Sequence, residues 1–254
     1  MSSAIWTPAA LSSELHKFAG SGWRFVEAQH KVSTLKLVDS LAEQQLLEQI
    51  VEETKPAIPP ECQGLDYLLA TPFRYRAFYR TGSRFRRAGF TAGVFYAAER
   101  EETAAAEIVF YRFLFYAESP DTPLPSDAAE YSAFSVELAT SAALDLTRPP
   151  LDRDANHWCH LSDYTACQAL ADAAREAGGE IIRYRSVRDP QQGVNFAVLT
   201  CSAFAAPMPV RRNTWRIRIA ARGAQAIREF PALGLEFRLS DFHTDERLKP
   251  LNRR

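Results

Sequence analysis

Residues 82–116 read GSRFRRAGFTAGVFYAAEREETAAAEIVFYRFLFY and contain a basic loop, a short apolar run and an alanine-rich segment in direct succession. The apolar run, Gly93 to Glu99, predicts a strand that leads into a turn. From about Glu102 the large side chains recur at spacings of three and four residues, which predicts a buried helix. A loop, a strand and a helix in this order indicate a fold that mixes α and β elements.

Two further helices are predicted from their start signals. Ser40 and Glu43 form a capping box, which predicts a helix over about 41–54. Its apolar face carries Leu46, Leu47, Ile50 and Val51. Asp163 is a capping residue for a second helix, from about 164 to 177.

The remaining periodic segments predict strands. The first three lie at 134–138, 181–187 and 194–201. In the tail, apolar Trp215, Ile217 and Ile219 alternate with arginines, and LEFRL at 235–239 is expected to pair with them as an exposed two-stranded ribbon. Because strands and helices are interspersed without a regular βαβ period, the predicted fold class is mixed α/β (α+β) in one compact domain.

Composition excludes several classes of protein. The chain has 254 residues, 46% hydrophobic and 24% charged, which is typical of a globular domain. Its formal net charge of -1 argues against a protein that coats nucleic acid. No apolar run is long enough to span a bilayer, and the N-terminus lacks the pattern of a signal peptide, so we expect a cytoplasmic location. The four cysteines are too few and too scattered for a disulfide scaffold.

Glu107 is the first candidate site residue. It lies among Ala, Ile, Val and Phe on the predicted helix. A carboxylate in such surroundings is costly to bury unless it is paired or hydrogen-bonded. Two interpretations remain: a functional carboxylate, or a helix carboxylate that reaches solvent or an arginine.

Arg84 is the second candidate, because it lies in a loop between Gly82 and Gly89. Glycines let a ligand approach the backbone closely, and a guanidinium group matches two phosphate oxygens at once. A solvated basic loop is the alternative interpretation. A nucleic-acid surface is a third, since aromatic residues are interleaved with the basic ones: Phe73, Tyr75, Phe78, Tyr79 and Phe85.

Two other groups of residues were considered for chemistry. The set His157, Cys159, His160 and Cys167 matches no spacing typical of zinc ligands, so no metal site is predicted. Ser186 has no G-x-S-x-G context and is not expected to be a hydrolase nucleophile. Its hydroxyl, at a strand end, can instead donate a hydrogen bond to a phosphate.

Four stretches together resemble the RES-domain family, which takes its name from a recurring arginine, glutamate and serine. They are WRFVEAQHKVSTLKLVD, LLATPFRYRAFYRTGSRFR, GVFYAAEREETAAAEIVFYRFLF and IIRYRSVRDPQQGVNFAVL, which cover most of 23–199 in the expected order. The resemblance implies a fold similar to that of ADP-ribosyltransferase toxins, with a central cleft for NAD. It also implies a cytoplasmic toxin of a toxin–antitoxin module that consumes NAD as its substrate and uses no metal.

The resemblance also assigns roles to individual residues. Arg84 would be the family arginine, Glu107 the glutamate, Ser186 the serine and Tyr96 the aromatic residue of the cleft. An earlier family arginine corresponds to Arg24 or, alternatively, to Arg74. Glu107 and Arg84 are therefore predicted to be catalytic, and NAD is predicted to contact Arg24, Arg84, Tyr96 and Ser186.

The same resemblance divides the chain into an N-terminal extension at 1–22, a catalytic domain at 23–205 and a basic C-terminal extension at 206–254 packed on that domain. The implied partner is an antitoxin with an Xre-type helix-turn-helix domain, with phosphate as a further ligand; a homodimer is left open. Phosphorolysis or hydrolysis of NAD is the predicted reaction. ADP-ribosyl transfer to a protein, and a non-enzymatic nucleic-acid-binding module, are the alternatives.

Overall fold

The structure, a computed structural model, describes residues 6–27, 37–74 and 80–251. Six helices and eight strands lie within these ranges, which confirms the mixed α/β class. The helices are α1 (Pro8–Glu14), α2 (Leu41–Glu53), α3 (Tyr67–Arg74), α4 (Glu101–Glu118), α5 (Ala155–Trp158) and α6 (Thr165–Glu176). The strands are β1 (His16–Glu27), β2 (Phe95–Ala98), β3 (Ala129–Asp145), β4 (Ile181–Arg185), β5 (Val194–Val198), β6 (Arg211–Ala220), β7 (Gly223–Arg228) and β8 (Leu233–Arg238).

Five of the strands pair in a closed ring. The antiparallel pairs β1–β2, β2–β5, β5–β4 and β1–β3, together with the parallel pair β3–β4, complete it. Strand β3 has 17 residues and is much longer than the predicted 134–138. Its length lets it pair with β1 along one edge and with both β4 and β6 along the other. The ring and the C-terminal strands therefore share β3 as their common element.

The C-terminal strands form a three-stranded meander, β6–β7–β8, and the predicted two-stranded ribbon is wrong. Strand β8 pairs with β7. Strand β7 itself was not predicted, because its inward side chains, Ala224 and Ala226, are too small to give an apolar signal. The meander is also covered on one face. Trp215 and Ile217 of β6 are buried in the same core as Phe110 of α4.

Both predicted helices form and Ser40 is the N-cap of α2, but the N-cap of α6 is Tyr164, one residue after Asp163, and one apolar face is not buried. The Ser40 hydroxyl accepts a hydrogen bond from the Glu43 N–H at 3.2 Å, and the Asp163 carboxylate accepts one from the Thr165 N–H at 2.9 Å. On α2, however, Leu46 is 56% exposed and Ile50 is 48% exposed. The amphipathic pattern thus predicted the position of α2 correctly, but it did not predict whether the apolar face would pack against the rest of the protein.

A single disulfide joins Cys62 to Cys201, two buried residues 139 positions apart. It connects the segment after α2 to the segment after β5. The sequence predicted no disulfide scaffold, and the structure has this one bond, with Cys159 and Cys167 as free thiols. Of the helices in the described ranges, none combines the length and apolarity needed to cross a membrane.

Candidate active site

Helix α4 places Glu107 against the ends of β4 and β5. Its carboxylate oxygen Oε1 accepts hydrogen bonds from Ser186 Oγ and from Asn195 Nδ2, each at 2.6 Å. The other oxygen, Oε2, has no hydrogen-bond partner among the described residues, and no cation there pairs with Glu107. One oxygen is therefore held by two neutral donors, while the second remains available to a ligand.

Ser186 is held so that its hydroxyl hydrogen points at Glu107. Its Oγ accepts the backbone N–H groups of Arg188 at 3.2 Å and Asp189 at 3.0 Å. Because both acceptor positions of the hydroxyl are then occupied, its one hydrogen is donated to Glu107. The hydroxyl hydrogen of Ser186 is thus donated to Glu107 in this structure, and a contact of Ser186 with NAD stays a prediction.

The loop after Ser186 is tied to the start of α4. Asp189 is buried and accepts hydrogen bonds from the Thr103 hydroxyl at 2.8 Å and from the Gly193 N–H at 3.1 Å. A Cβ atom at Gly193 would lie 2.1 Å from the Thr103 hydroxyl oxygen, so only glycine fits there. The loop and the helix that carries Glu107 are thus fixed relative to each other.

Tyr96 holds the loop that carries Arg84. Its hydroxyl contacts Ser83 Oγ at 2.8 Å and accepts the Phe85 N–H at 3.0 Å, so it engages the residues on both sides of Arg84. The loop turns tightly at this point, with Gly82 at φ +69°. Strand β2, through Tyr96, therefore sets the position of the arginine.

Arg84 is a buried cation with unused donors. It is 8% exposed, its Nη1 donates to the Trp158 carbonyl at 2.6 Å, and its guanidinium lies over the Tyr164 ring at 4.7 Å. Its Nε and Nη2 have no hydrogen-bond partner in the described parts of the chain. A guanidinium group held in one orientation with two free donors is suited to bind an anion.

Two tyrosines beside Glu107 were not singled out from the sequence. Burial and the charge of Glu107 both raise the pKa of Tyr184 on β4. The same two causes raise the pKa of Tyr111 on α4, although half of its surface remains accessible. Both phenols therefore stay protonated at neutral pH and can donate hydrogen bonds.

The C-terminal segment reaches this region through a buried ion pair. Arg188 Nη1 contacts Asp245 Oδ2 at 2.7 Å, and the two side chains are 3% and 4% exposed. Arg247 also contacts Asp245, at 2.8 Å. The Arg188 guanidinium lies 3.9 Å from the centre of the Phe110 ring, one turn after Glu107 on α4. Residues beyond 240 thus help to fix the loop that begins at Ser186.

Arg24 and Arg74, the two candidates for the earlier family arginine, lie elsewhere. Arg24 Nη1 donates to the backbone carbonyl of Tyr96 at 3.2 Å, and its guanidinium lies over the Phe95 ring. Because consecutive strand residues face opposite ways, this is the side of β2 away from the Tyr96 side chain. Arg74 pairs with Glu52 at 2.7 Å. The role of either arginine in NAD binding stays a prediction.

The structure gives less support to the two alternative interpretations of the basic loop, which are a solvated loop and a nucleic-acid surface. Arg86 contacts the Thr91 carbonyl at 3.1 Å, and Arg87 pairs with Asp172 at 2.5 Å. Phe73 and Phe85 are buried in the core, where they cannot stack on bases. Tyr75, Phe78 and Tyr79 lie outside the described residues. As for metals, the described ranges contain no group of three or more His, Cys, Asp or Glu side chains placed to hold an ion.

Asn195 is the site residue that sequence analysis missed. It is 4% exposed on β5, where it pairs with Ala98 on one side and Tyr184 on the other. A signal for it exists in the sequence: an amide in the middle of the apolar run VNFAV is a polar group on a strand predicted to be buried. Such a group needs a partner, and here the partner is Glu107.

A family model covers three of the four stretches that carry the resemblance to the RES-domain family, and the first stretch, at 23–39, lies outside it. A model of the RES domain matches residues 58–220, well over half of the chain. None of the curated proteins matches the chain in sequence. Among solved structures, the chain is similar to the crystal structure of the M. tuberculosis MbcT–MbcA toxin–antitoxin complex. The match has 16% sequence identity and a TM-score of 0.46, and covers 80% of this chain and 90% of that chain.

Proposed function

The chain belongs to the RES-domain family, and from this premise we propose that it is a toxin that depletes NAD by cleaving the bond between nicotinamide and ribose. The observation that carries this proposal is the state of Glu107. Its Oε1 is fixed by Ser186 and Asn195, its Oε2 has no partner among the described residues, and no cation there neutralises it. A carboxylate held in this way is suited to stabilise a positive charge that forms on a substrate.

The proposed reaction develops such a charge. The bond between C1′ of the ribose and the nicotinamide nitrogen breaks, and its electron pair moves to that nitrogen, so that neutral nicotinamide leaves. The ribose passes through an oxocarbenium-like state, as in glycoside cleavage. A phosphate oxygen then bonds to C1′ and gives ADP-ribose 1″-phosphate; water instead gives ADP-ribose and releases a proton.

Each of the other site residues has a role in this scheme. Arg84 binds the pyrophosphate through Nε and Nη2. Tyr96 holds the Arg84 loop and provides an aromatic surface for a ring of the substrate. Ser186 keeps Glu107 in position. Arg24 remains the proposed earlier arginine of the family, and in this structure it contacts β2 through its hydrogen bond to the Tyr96 carbonyl.

The test is NAD consumption by purified wild type, Glu107→Gln and Glu102→Gln, with and without phosphate. Glu102 lies on the same helix outside the site and is the matched control. Loss of NAD with wild type and Glu102→Gln, but not with Glu107→Gln, supports the proposal. If wild type leaves NAD intact under both conditions, the proposal is wrong. The product identifies the acceptor: ADP-ribose 1″-phosphate, free ADP-ribose, or ADP-ribose attached to protein.

A toxin that acts in the cytoplasm on the cell's own NAD requires an inhibitor. We propose an antitoxin with an Xre-type helix-turn-helix domain that covers the region between Glu107 and Arg84 and excludes NAD. The purified complex is then expected to consume NAD far more slowly than the free toxin. Equal rates for the complex and the free toxin would contradict this mode of inhibition.

A further inference from the structure

Asn195 has one side-chain atom that nothing in the described structure satisfies. Its amide nitrogen donates to Glu107 Oε1 at 2.6 Å. Its amide oxygen, Oδ1, is buried and has no hydrogen-bond partner in the described ranges. The orientation of the amide follows from chemistry, because a carboxylate oxygen that already accepts the Ser186 hydroxyl must face the NH₂ group of Asn195.

An unsatisfied buried acceptor destabilises the folded state, so a folded protein normally provides a donor. The cost is avoided when a ligand supplies that donor. Oδ1 is bonded to the same carbon as Nδ2, and Oε2 is bonded to the same carbon as Oε1. Both unused acceptors therefore lie within a few ångströms of the Nδ2–Oε1 hydrogen bond.

We infer that Asn195 Oδ1 and Glu107 Oε2 together bind the two neighbouring hydroxyls of the nicotinamide ribose. This inference rests on the proposed function and adds to it a requirement on the sugar. Glu107 takes the 2′ hydroxyl, which is adjacent to the carbon that becomes positive. Asn195 takes the 3′ hydroxyl, and a ribose with both hydroxyls is the substrate class that this pair of acceptors selects.

The position of Asn195 in the sheet supports a ligand contact. Because side chains at alternate positions share one face of a strand, and paired residues share the same face, Asn195 lies on the side of the sheet that carries Tyr96 and Tyr184. That side also faces Glu107. The buried amide therefore lies on the same side of the sheet as the other residues of the candidate site.

The test pairs substrate and protein changes. Wild type, Asn195→Ala and Asn213→Ala are assayed with NAD and with an NAD analogue that lacks the 3′ hydroxyl of the nicotinamide ribose. Asn213 is a matched control, since its amide nitrogen donates to Glu101 at 2.9 Å. Removing the hydroxyl is expected to lower kcat/KM about tenfold in wild type and Asn213→Ala, but far less in Asn195→Ala.

The inference is overturned if Asn195→Ala distinguishes the two substrates as strongly as wild type. That result, with both rates lowered equally, would make Asn195 a residue that only positions Glu107. It would leave the proposed NAD cleavage intact, so the two proposals fail separately.

A binding measurement on wild type covers the case in which the variant does not fold or NAD is not consumed. Calorimetric titration compares ADP-ribose with its 3″-deoxy counterpart, in which the same hydroxyl is missing. Tighter binding of ADP-ribose, by about tenfold, supports the inference even if catalysis is absent. Equal affinities, or no binding of ADP-ribose, overturn it.

Discussion

Glu101 and Glu107 lie on the same helix within two turns of each other, yet their surroundings differ. Glu101 is 6% exposed and accepts hydrogen bonds from Trp215 Nε1 at 2.6 Å and Asn213 Nδ2 at 2.9 Å. Arg228 pairs with it as well. Glu107 has a hydroxyl and an amide as its partners, and the described residues bring no cation to it.

The difference separates a structural carboxylate from one available for chemistry. At Glu101 the protein itself supplies a counter charge, so the carboxylate joins α4 to β6 and β7. At Glu107 the charge is left for another molecule to neutralise. A substrate whose ribose becomes positive is such a molecule. Glu101 is buried beside a cation, whereas Glu107 is partly exposed and has neutral partners, so burial and the charge of the partners both separate the two residues.

The largest expected effect is on catalysis. Glu107→Gln keeps the shape of the side chain but removes its charge, so kcat for NAD should fall by about 10²–10³-fold, the size of effect seen when one electrostatic stabiliser of a transition state is removed. The thermal midpoint should change little. A variant that retains near wild-type kcat would show that Glu107 is no more catalytic than Glu101.

The reciprocal change should affect stability. Glu101→Gln leaves Arg228 without its partner, and breaking a buried ion pair of this kind costs about 3–5 kcal/mol. Chemical denaturation should therefore show a marked loss of unfolding free energy, while the fraction that remains folded consumes NAD at nearly the wild-type rate. Equal stability would mean that this pair does not join α4 to the meander.

Ser186→Ala sharpens the comparison because it removes one of the two neutral donors. Glu107 would lose its hydroxyl partner but keep Asn195, so kcat should fall about tenfold, the usual value of a charged hydrogen bond. Thr103→Val is the control, since it removes a hydroxyl that reaches Asp189 and not Glu107. A larger loss of kcat in Thr103→Val than in Ser186→Ala would mean that the effect comes from the loop after Ser186 and not from the hydrogen bond to Glu107.

Tyr96→Phe tests the second half of the site with a smaller effect. The change removes the hydroxyl that contacts Ser83 and Phe85, and the loss of these hydrogen bonds should destabilise the folded conformation of the Arg84 loop by about 1 kcal/mol. Because Arg84 binds the substrate in the proposed scheme, KM for NAD should rise several-fold while kcat changes less. A change confined to kcat would contradict the role given to this loop.

The smallest effect is the acid dependence that Asp245 contributes. Burial raises the pKa of Asp245, but the hydrogen bonds and charges of Arg247 and Arg188 outweigh it and hold the pKa below its usual range. A carboxyl with a lowered folded-state pKa stabilises the fold above its unfolded pKa of about 3.9, and this stability is lost as pH falls through the folded value.

In the measurement, the gap in unfolding free energy between wild type and Asp245→Asn should be full at pH 6 and should shrink below about pH 4, near the unfolded pKa. A gap that stays constant down to pH 2 would mean that Asp245 does not titrate in this range.

Local signals in the sequence predicted local structure well. The predicted capping residues Ser40 and Asp163 and the apolar periodicities located α2, α6 and most of the ring strands. Residues 223–228 were missed because small inward alanines give no periodic signal. The exposure of the apolar face of α2 was also not predictable, because periodicity shows that one face of a helix is apolar but not whether another element packs against it.

The site was only partly predictable for a related reason. Glu107 stood out as a carboxylate in an apolar helix, and Arg84 as an arginine between glycines. Two of their long-range partners did not, since Asn195 is 88 residues from Glu107 and Trp158 is 74 residues from Arg84. Which long-range pairs form is decided by how the strands close into a ring, and no spacing along the chain records it.

The buried pair of Arg188 and Asp245 has a consequence for the order of synthesis. A nascent chain made as far as residue 240 already contains Arg84, Glu107 and Ser186, but it lacks the carboxylate that neutralises Arg188. A buried guanidinium without its counter charge disfavours the folded loop. Synthesis must thus reach Asp245 before the loop behind Glu107 becomes stable.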